Sequence, residues 1–446
     1  MKPQFFKLII LFLPLTSGLS SCHAQDPDFD HVKMDSLFAR IEKFNKGMGS
    51  ISIFRDGKEV YQKAYGYADA GNHIPATAET RYRIGSISKS FTASIIMQMV
   101  DEKKLTLGTK LSKFYPQIPN ADSITIEELL RHRSGLYNFT SAPDYTQWME
   151  KPVTEEGLIR KFIENGTNFS PDARMEYSNT NYVLLGFIAE KVDGKDLHEI
   201  LKKRITAPLK LKDTYYGGKI DPKNNEAYSY QYQDGWKPAT ETDMSVPGGA
   251  GAVVSTPADL NIFLHALFNG KLVSENSLDE MKKMVEGYGM GLIRMPFYDQ
   301  WAYGHTGGID GFQSNAAYFP DEKVSFAFTG NGMVMGMNDI LIGALSIYFG
   351  KEYALPEIRP AITLKSEDLD QYLGVYGSPS FPLKVTITKN VNVLIGQATG
   401  QSSFILEAFD TDKFRFEPAG IEMDFYPSGD KMILKQAGQE FELKRE

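Results

Sequence analysis

The C-terminal part of the sequence places the tightest limit on the fold, because it alternates between apolar and polar residues in short runs. Turn residues separate these runs at close, regular spacing, which is typical of a small up-and-down barrel or sandwich. A chain of 446 residues is also too long for one ordinary core. We therefore predict a separate all-β unit over residues 369–446, after a proline-containing linker over residues 351–368. Its strands are predicted at Lys384–Thr388, Asn392–Ile395, Phe404–Ala408, Lys413–Glu417, Glu422–Tyr426, Lys431–Gln436 and Glu440–Lys444.

Residues 32–350 mix helix and strand patterns in an informative order. Two alternating runs around Asp56-Gly57 give a strong hairpin signal, and helical patterns then fill most of the stretch from Leu105 to Leu211. Strand patterns return only after this stretch. The order predicts an α+β fold, in which terminal helices flank an antiparallel sheet and a mainly helical subdomain is inserted between its halves. The flanking elements are predicted at Val32–Phe44 (helix), Ser50–Phe54 and Glu59–Tyr67 (strands), Pro257–Phe268 (helix), Gly311–Phe319 and Val324–Gly330 (strands) and Gly336–Phe349 (helix).

The N-terminus has the pattern of a secretory signal peptide over residues 1–21. Lys2 and Lys7 precede an apolar run that is too short to serve as a spanning helix, and small residues follow it. Leu19-Ser-Ser-Cys22 resembles a bacterial lipobox, in which the cysteine is lipidated and becomes the mature N-terminus. The alternative is ordinary cleavage after Ala24. We expect an exported bacterial protein, periplasmic or attached to the outer membrane through a lipid anchor on Cys22.

Charge and composition exclude several classes of partner. The net charge of −8 argues against nucleic acid as a ligand. The seven histidines are scattered and show no metal-binding spacing, so we expect neither a metal nor another cofactor. Cys22 is the only cysteine, so no intramolecular disulfide can form.

Ser86-Ile-Ser-Lys89 is the first candidate for chemistry. It precedes an amphipathic run that reads as a helix, which would place both side chains on one face in the first turn. A lysine whose pKa is lowered can activate a serine hydroxyl without a histidine. The spacing alone is weak evidence, because Ser428-Gly-Asp-Lys431 repeats it in a predicted turn between two strands.

Two further motifs accompany this serine. Tyr177-Ser-Asn179 lies just before a predicted helix, where the phenol can move a proton and the amide can bind a substrate carbonyl. His305-Thr306-Gly307-Gly308 is placed to open the strand predicted at Gly311–Phe319. Such a strand edge can pair with an extended acyl substrate, and glycine allows the backbone to approach closely. Each motif alone is more often a cap or a tight loop. All three motifs in this order are far less frequent by chance.

The three motifs resemble those of the serine β-lactamase and penicillin-binding-protein superfamily. The Tyr-x-Asn form is similar to its branch of class C β-lactamases, D-Ala-D-Ala carboxypeptidases and family VIII esterases. The resemblance extends over about Met34 to Gly350, and the C-terminal unit resembles the lipocalin-like domain of some bacterial members. Three flanking phrases agree with it: Tyr82-Arg-Ile-Gly-Ser-Ile-Ser-Lys89, Leu129-Leu-Arg-His-Arg-Ser-Gly-Leu136 and Gly248-Gly-Ala-Gly-Ala-Val-Val-Ser255.

The resemblance implies acyl transfer through an ester on Ser86. Lys89 and Tyr177 would jointly move protons, and the backbone N–H groups of Ser86 and Gly308 would bind the oxyanion. Asn179, His305, Thr306 and Gly307 would bind the substrate.

One departure concerns His305, since typical β-lactamases carry a lysine at this position. A histidine with a pKa of about 6.5 is only partly charged at neutral pH. This favours a D-amino-acid-specific peptidase or carboxypeptidase, or an esterase, over a β-lactamase. The substrate would be a small molecule or short peptide, peptidoglycan fragments included.

Several alternatives stay open. A weak β-lactamase and a non-catalytic lipoprotein that binds a cell-wall ligand both remain. The aromatic loops Tyr137–Trp148 and Tyr228–Trp236 either form a substrate pocket or only pack. The role of the C-terminal unit is also open.

Overall fold

The computed structural model describes residues 29–446, with the exception of residues 234, 358, 402, 417, 418, 437 and 438. The predicted signal peptide and the predicted lipidation site at Cys22 lie outside the described residues. Among the described residues, no helix combines the length and the apolar composition that crossing a membrane requires.

Twelve α-helices are found in the described part of the chain. They are α1 His31–Lys43, α2 Ser88–Asp101, α3 Ile126–Leu130, α4 Tyr145–Trp148, α5 Glu155–Asn165, α6 Asn179–Asp193, α7 Leu197–Leu201, α8 Ala207–Leu209, α9 Gly248–Gly251, α10 Pro257–Phe268, α11 Glu275–Lys282 and α12 Met337–Tyr348.

The strands of the first unit are β1 Gly47–Arg55, β2 Lys58–Tyr65, β3 Tyr67–Asp69, β4 Ile74–Pro75, β5 Tyr82–Arg83, β6 Tyr215–Tyr216, β7 Tyr230–Tyr232, β8 Trp236–Pro238, β9 Val253–Ser255, β10 Ile293–Phe297, β11 Gln300–Ile309, β12 Phe312–Phe319 and β13 Val324–Met333. Those of the C-terminal unit are β14 Gly374–Ser378, β15 Phe381–Asn390, β16 Val393–Ala398, β17 Phe404–Asp410, β18 Lys413–Phe416, β19 Ile421–Tyr426, β20 Lys431–Gln436 and β21 Gln439–Arg445.

The main sheet is antiparallel, with the strand order β10-β11-β12-β13-β1-β2. The sheet is covered on both faces. Successive side chains of a strand point to opposite faces, and almost all residues of β1 are buried. Ile51 and Ile53 pack with α1 and α12. On the other face, Ser52 accepts a hydrogen bond at 3.1 Å from the amide of Asn261 in α10. The predicted arrangement of a sheet between helices, with a helical stretch inserted in the chain, is therefore confirmed.

The position predicted for the His305 motif is wrong in one respect. The motif does not open the strand at 311–319 but lies in the second half of β11, a strand that the sequence pattern did not reveal. Glycine weakens strand propensity, and the glycines of β11 interrupt the apolar alternation on which strand prediction depends. The strand forms because β12 pairs along His305–Ile309 and the turn before α2 packs against it.

The C-terminal unit is a closed barrel of eight strands, in which each strand pairs with its neighbours along the chain and β14 pairs with β21. The predicted barrel is confirmed, although its first strand, β14, was missed. Its glycines, Gly374 and Gly377, weaken the pattern. Aromatic residues of the barrel pack in its core, among them Tyr372, Phe414 and Phe425. Ser428 belongs to the second Ser-x-x-Lys sequence, Ser428–Lys431, which we call the decoy motif. It lies in the turn between β19 and β20.

The barrel is joined to the first unit by polar contacts. Lys46, just before β1, lies 3.6 Å from the Glu407 carboxylate in β17. Arg415 binds the same carboxylate at 2.8 Å and donates to the backbone carbonyl of Arg359 in the connecting segment at 2.7 Å.

Helix α2 runs through the middle of the first unit, and all residues from Ser88 to Met97 are buried. Its Phe91 stacks on Phe263 of α10, with ring centroids 3.8 Å apart. Because large-to-small changes in a close-packed core leave a cavity, Phe91→Ala should lower the free energy of unfolding by about 3–5 kcal/mol. Ile342→Ala, at an exposed position on α12, is the control and should change it by less than about 0.5 kcal/mol. Urea unfolding of both variants measures this, and equal losses would contradict the packing described.

Candidate active site

Ser86 lies in a 3-10 turn, Gly85–Ile87, directly before α2. The sequence predicted Ser86 in the first turn of the α-helix, but the serine lies two residues before that helix begins. Gly85, with a φ of +50°, sets the direction in which the chain enters this turn, and Ile87 already has the dihedral angles of α2. Lys89, the second residue of α2, still reaches the serine, with Nζ and Oγ 2.9 Å apart.

Glycines allow β11 to lie against this turn. A Cβ on Gly307 would be only 2.0 Å from the carbonyl oxygen of Ile84, and a Cβ on Gly85 would be 2.7 Å from the nitrogen of Gly308. Only glycine leaves room for two backbones at this distance. The predicted closeness of Gly307 and Gly308 to the serine is observed, since all three residues line one cavity.

Lys89 is 0% exposed and makes three polar contacts. Besides Ser86 Oγ, its Nζ lies 2.8 Å from Asn179 Oδ1 and 2.8 Å from the carbonyl oxygen of Ala250. No carboxylate of the described residues pairs with it, and burial lowers its pKa well below the usual value. A neutral amine has two hydrogens and one lone pair. The two oxygens can only accept, so the lone pair is left for the Ser86 hydroxyl proton.

Tyr177 completes the surroundings of the nucleophile. Its OH donates a hydrogen bond of 2.8 Å to Ser86 Oγ, and the Lys89 amine lies 4.9 Å from the centre of its ring. Burial raises the pKa of Tyr177 to about 12, so the phenol keeps its proton at neutral pH. The serine oxygen thus accepts from a proton donor and faces a proton acceptor.

Asn179 lies at the start of α6, where it connects Lys89 to a loop. Its Nδ2 is 3.2 Å from Asn138 Oδ1 and 3.1 Å from Thr140 Oγ1. The predicted role in binding a substrate carbonyl therefore requires the substrate to join or replace these partners. Asn138 and Thr140 were not identified from the sequence; they belong to the loop Tyr137–Trp148, whose only signal was its aromatic content.

His305 is buried, with 4% of its surface exposed. Its Nδ1 lies 2.5 Å from the carbonyl oxygen of Thr306, which can only accept, so Nε2 accepts from the Tyr288 hydroxyl at 2.8 Å. Burial, with the nearby Lys89, lowers the pKa of His305 to about 3. The expectation of a partly charged histidine is therefore wrong, because desolvation dominates. Tyr288 was missed, since it lies in no motif.

Two cavities meet at Ser86 and Gly308. One, of about 250 Å³, is lined by Tyr177, Tyr288, Ile293, His305, Thr306 and Gly307. The other, of about 310 Å³, lies on the Asn179 side and includes Phe139, Tyr145 and Met149. The aromatic loop Tyr137–Trp148 therefore lines a cavity. In the other aromatic loop, Tyr228–Trp236, the indole N–H of Trp236 donates to Asn45 Oδ1 at 2.6 Å.

The second half of β11 offers a backbone edge to the first cavity. Strand β10 pairs with β11 only along Gln300–Gly304, so His305–Ile309 continue past its end. Thr306 lies at this edge, as its predicted role in substrate binding requires. In the described part of the chain, no group of three or more His, Cys, Asp or Glu side chains is arranged to hold a metal ion.

These groups together can perform acyl transfer. They place a serine hydroxyl at hydrogen-bond distance from an amine that can accept its proton and from a phenol that can donate one. Lys431 of the decoy motif binds Glu442 in the barrel and takes no part.

Comparisons with known proteins agree with this geometry. The family model described as Beta-lactamase matches residues 39–343. The teichoic acid D-alanine hydrolase of Staphylococcus aureus (strain NCTC 8325 / PS 47) is 26% identical over 65% of this chain and 72% of that protein. The crystal structure of D-amino acid amidase from Ochrobactrum anthropi SV3 with D-phenylalanine is 28% identical over 72% of this chain and 98% of that chain, with a TM-score of 0.65. The octameric penicillin-binding protein homologue from Pyrococcus abyssi is 28% identical over 93% of this chain and 100% of that chain, with a TM-score of 0.66.

The pH dependence of acylation, measured between about pH 5 and pH 10, should report the ionisation of Lys89 and not that of His305 or Tyr177. Lys89 must be neutral to accept the serine proton, so the rate falls as the pH drops through its lowered pKa and is full above it. His305, with a pKa of about 3, and Tyr177, at about 12, ionise outside this interval. The kcat/KM for p-nitrophenyl acetate, which has no titrating group, measures this profile. His305→Gln should keep the ionisation; its disappearance in this variant would show that His305 titrates instead.

Proposed function

The chain belongs to the beta-lactamase family, and from this premise we propose that it removes a D-aminoacyl group from an amide or ester. It is a serine hydrolase, and the proposal concerns its substrate and the roles of its residues. The observation that carries the proposal is that Ser86 Oγ lies 2.9 Å from Lys89 Nζ and 2.8 Å from Tyr177 OH.

The proposed reaction begins when the neutral Lys89 amine accepts the Ser86 proton. The serine oxygen then attacks the carbonyl carbon, and the N–H groups of Ser86 and Gly308 bind the oxyanion. As the bond to the leaving group breaks, Tyr177 gives its proton to that group and recovers one from Lys89. Water then attacks the ester on Ser86 with the same groups in reversed roles, which releases the acid and restores the serine.

We infer from the two cavities where the two halves of the substrate bind. The leaving group must lie near its proton donor, so it occupies the 250 Å³ cavity lined by Tyr177 and His305. The acyl group then occupies the 310 Å³ cavity, where Phe139, Tyr145 and Met149 supply apolar surface for an amino-acid side chain.

The charge of the leaving-group cavity argues for an uncharged leaving group. His305 is neutral, and none of the described residues that line this cavity is a lysine or an arginine. A C-terminal carboxylate, as in D-Ala-D-Ala or a β-lactam, would lose its hydration without gaining a cation. A leaving group that is an uncharged amine or an alcohol has no such desolvation cost. Carboxypeptidase and weak β-lactamase activity are therefore the less favoured alternatives.

The relatives support the same class of substrate. The names of the Staphylococcus aureus and Ochrobactrum anthropi proteins, a teichoic acid D-alanine hydrolase and a D-amino acid amidase, both include a D-amino acid. A non-catalytic binding protein is disfavoured, because binding alone does not require a buried amine beside a serine hydroxyl. We place the protein outside the cytoplasm, held by a lipid on Cys22, on the evidence of its N-terminal sequence alone.

Acylation of Ser86 is the first test. Incubation with an activated D-alanyl ester and with a fluorescent penicillin, followed by peptide mass spectrometry, should locate the D-alanyl adduct on Ser86. Ser86→Ala should lose turnover by at least about 10³-fold, because the oxygen that attacks the carbonyl carbon is removed. Ser428→Ala, in the decoy motif of the barrel, is the matched control and should keep wild-type turnover. An adduct elsewhere, or turnover by Ser86→Ala, would contradict the proposed function.

The charge at position 305 is the second test. His305→Lys should raise the ratio of kcat/KM for D-Ala-D-Ala over its C-terminal amide about tenfold, since a cation would then face the carboxylate. The neutral His305→Gln variant should leave this ratio near that of the wild type. The two peptides differ only in the charge of the leaving group, so an unchanged ratio in His305→Lys would refute the assignment of the 250 Å³ cavity.

A further inference from the structure

His132 belongs to the phrase Leu129–Leu136, to which the proposed reaction assigns no role. It is 0% exposed and adopts a φ of +57°, a left-handed conformation that is uncommon for a histidine. A buried histidine in a strained backbone conformation is retained only where the surrounding contacts fix it. Those contacts lead to the proton donor of the active site.

The hydrogen bonds of His132 bracket Tyr177. Its backbone carbonyl accepts the N–H of Glu176 at 2.9 Å, and its Nδ1 accepts the N–H of Ser178 at 3.1 Å. One residue on each side of Tyr177 is therefore bound to His132. These two bonds fix the backbone from which the phenol extends toward Ser86.

The ring of His132 also supports the ring of Tyr177. The two centroids are 4.4 Å apart, and Tyr288 meets the His132 ring edge-on from 4.5 Å. The amide Nδ2 of Asn181 lies 3.2 Å from Nδ1 and is kept in this orientation because Ser134 Oγ donates to Asn181 Oδ1 at 2.6 Å.

These contacts define one tautomer. Both neighbours of Nδ1 are donors, so Nδ1 carries no hydrogen and the proton is on Nε2, which has no hydrogen-bond partner among the described residues. Burial, with Lys89 and His305 nearby, lowers the pKa of His132 well below its usual value. If the ring were charged, the hydrogen on Nδ1 would face the hydrogen of the Ser178 N–H. His132 is thus suited to accept hydrogen bonds and unsuited to transfer protons.

We propose that His132 is a positioning residue, which fixes Tyr177 at hydrogen-bond distance from Ser86 by accepting the Ser178 N–H and backing the phenol ring. The inference rests on the proposed function, in which Tyr177 protonates the leaving group. Displacement of a reacting group by about 1 Å can cost about 10²-fold in rate, so a residue behind Tyr177 has a measurable effect on kcat.

The test compares His132→Asn with His132→Ala. Asn Oδ1 occupies the place of Nδ1 on the same Cγ and accepts the same N–H, and asparagine tolerates a left-handed φ. His132→Ala should lower kcat about 10²-fold with little change in KM for a D-alanyl nitroanilide, and His132→Asn should recover most of the loss. His73→Ala is the matched control, because His73 also has a left-handed φ of +54° and contacts a tyrosine ring, outside the site. It should keep wild-type kcat. Equal losses in the Asn and Ala variants would overturn the inference.

A double-mutant cycle separates positioning from general loss of structure. If His132 acts through Tyr177, then His132→Ala should cost no further kcat in a Tyr177→Phe background. The same fractional loss in both backgrounds would overturn the inference, even if His132→Ala unfolds more easily. Failure of the proposed function looks different, because Ser86 would then remain unlabelled by the D-alanyl ester in the wild-type protein.

Discussion

The burial of an amine without a counter-ion is the constraint on which the rest of the structure depends. Removing a charged ammonium from water costs several kcal/mol unless an anion pairs with it, so burial favours the neutral form of the Lys89 amine. The residues of α2 from Ser88 to Met97 are buried because α6, α9, α10 and β11 pack around them. The core that stabilises the fold is therefore the same core that lowers the pKa of Lys89.

Neutrality extends from Lys89 to the other basic groups of the site. Lys89, His132 and His305 lie close enough that a proton on one disfavours protons on the others, and all three are desolvated. Under the proposed function, such a site favours a substrate whose leaving group is uncharged.

Sequence patterns identified the parts whose signals are local. The bounds of α10 are those predicted, because Thr256 caps it and Pro257 occupies its first position. The spacing of Ser86 and Lys89 and the order of the motifs likewise identified the residues that meet in the site. The sequence did not reveal Asn138, Tyr288 or the role of His132, since each acts through contacts with residues distant in the chain. Strands β11 and β14 were missed because their glycines interrupt the apolar alternation, and in β11 those glycines are needed for close backbone approach.

The glycine contact between β11 and the turn before α2 has a consequence for how activity appears. The hydroxyl of Ser86 and the backbone of Gly307 and Gly308 come from segments separated by more than half of the first unit, and a Cβ on Gly307 would block their meeting at 2.0 Å. Pairings between segments so distant in the chain are slow to form, because the intervening loop must first be closed. A chain in which β11 has not yet reached this turn has the serine but lacks the backbone of Gly307 and Gly308 beside it. The arrangement that we propose for hydrolysis therefore exists only in the complete tertiary structure.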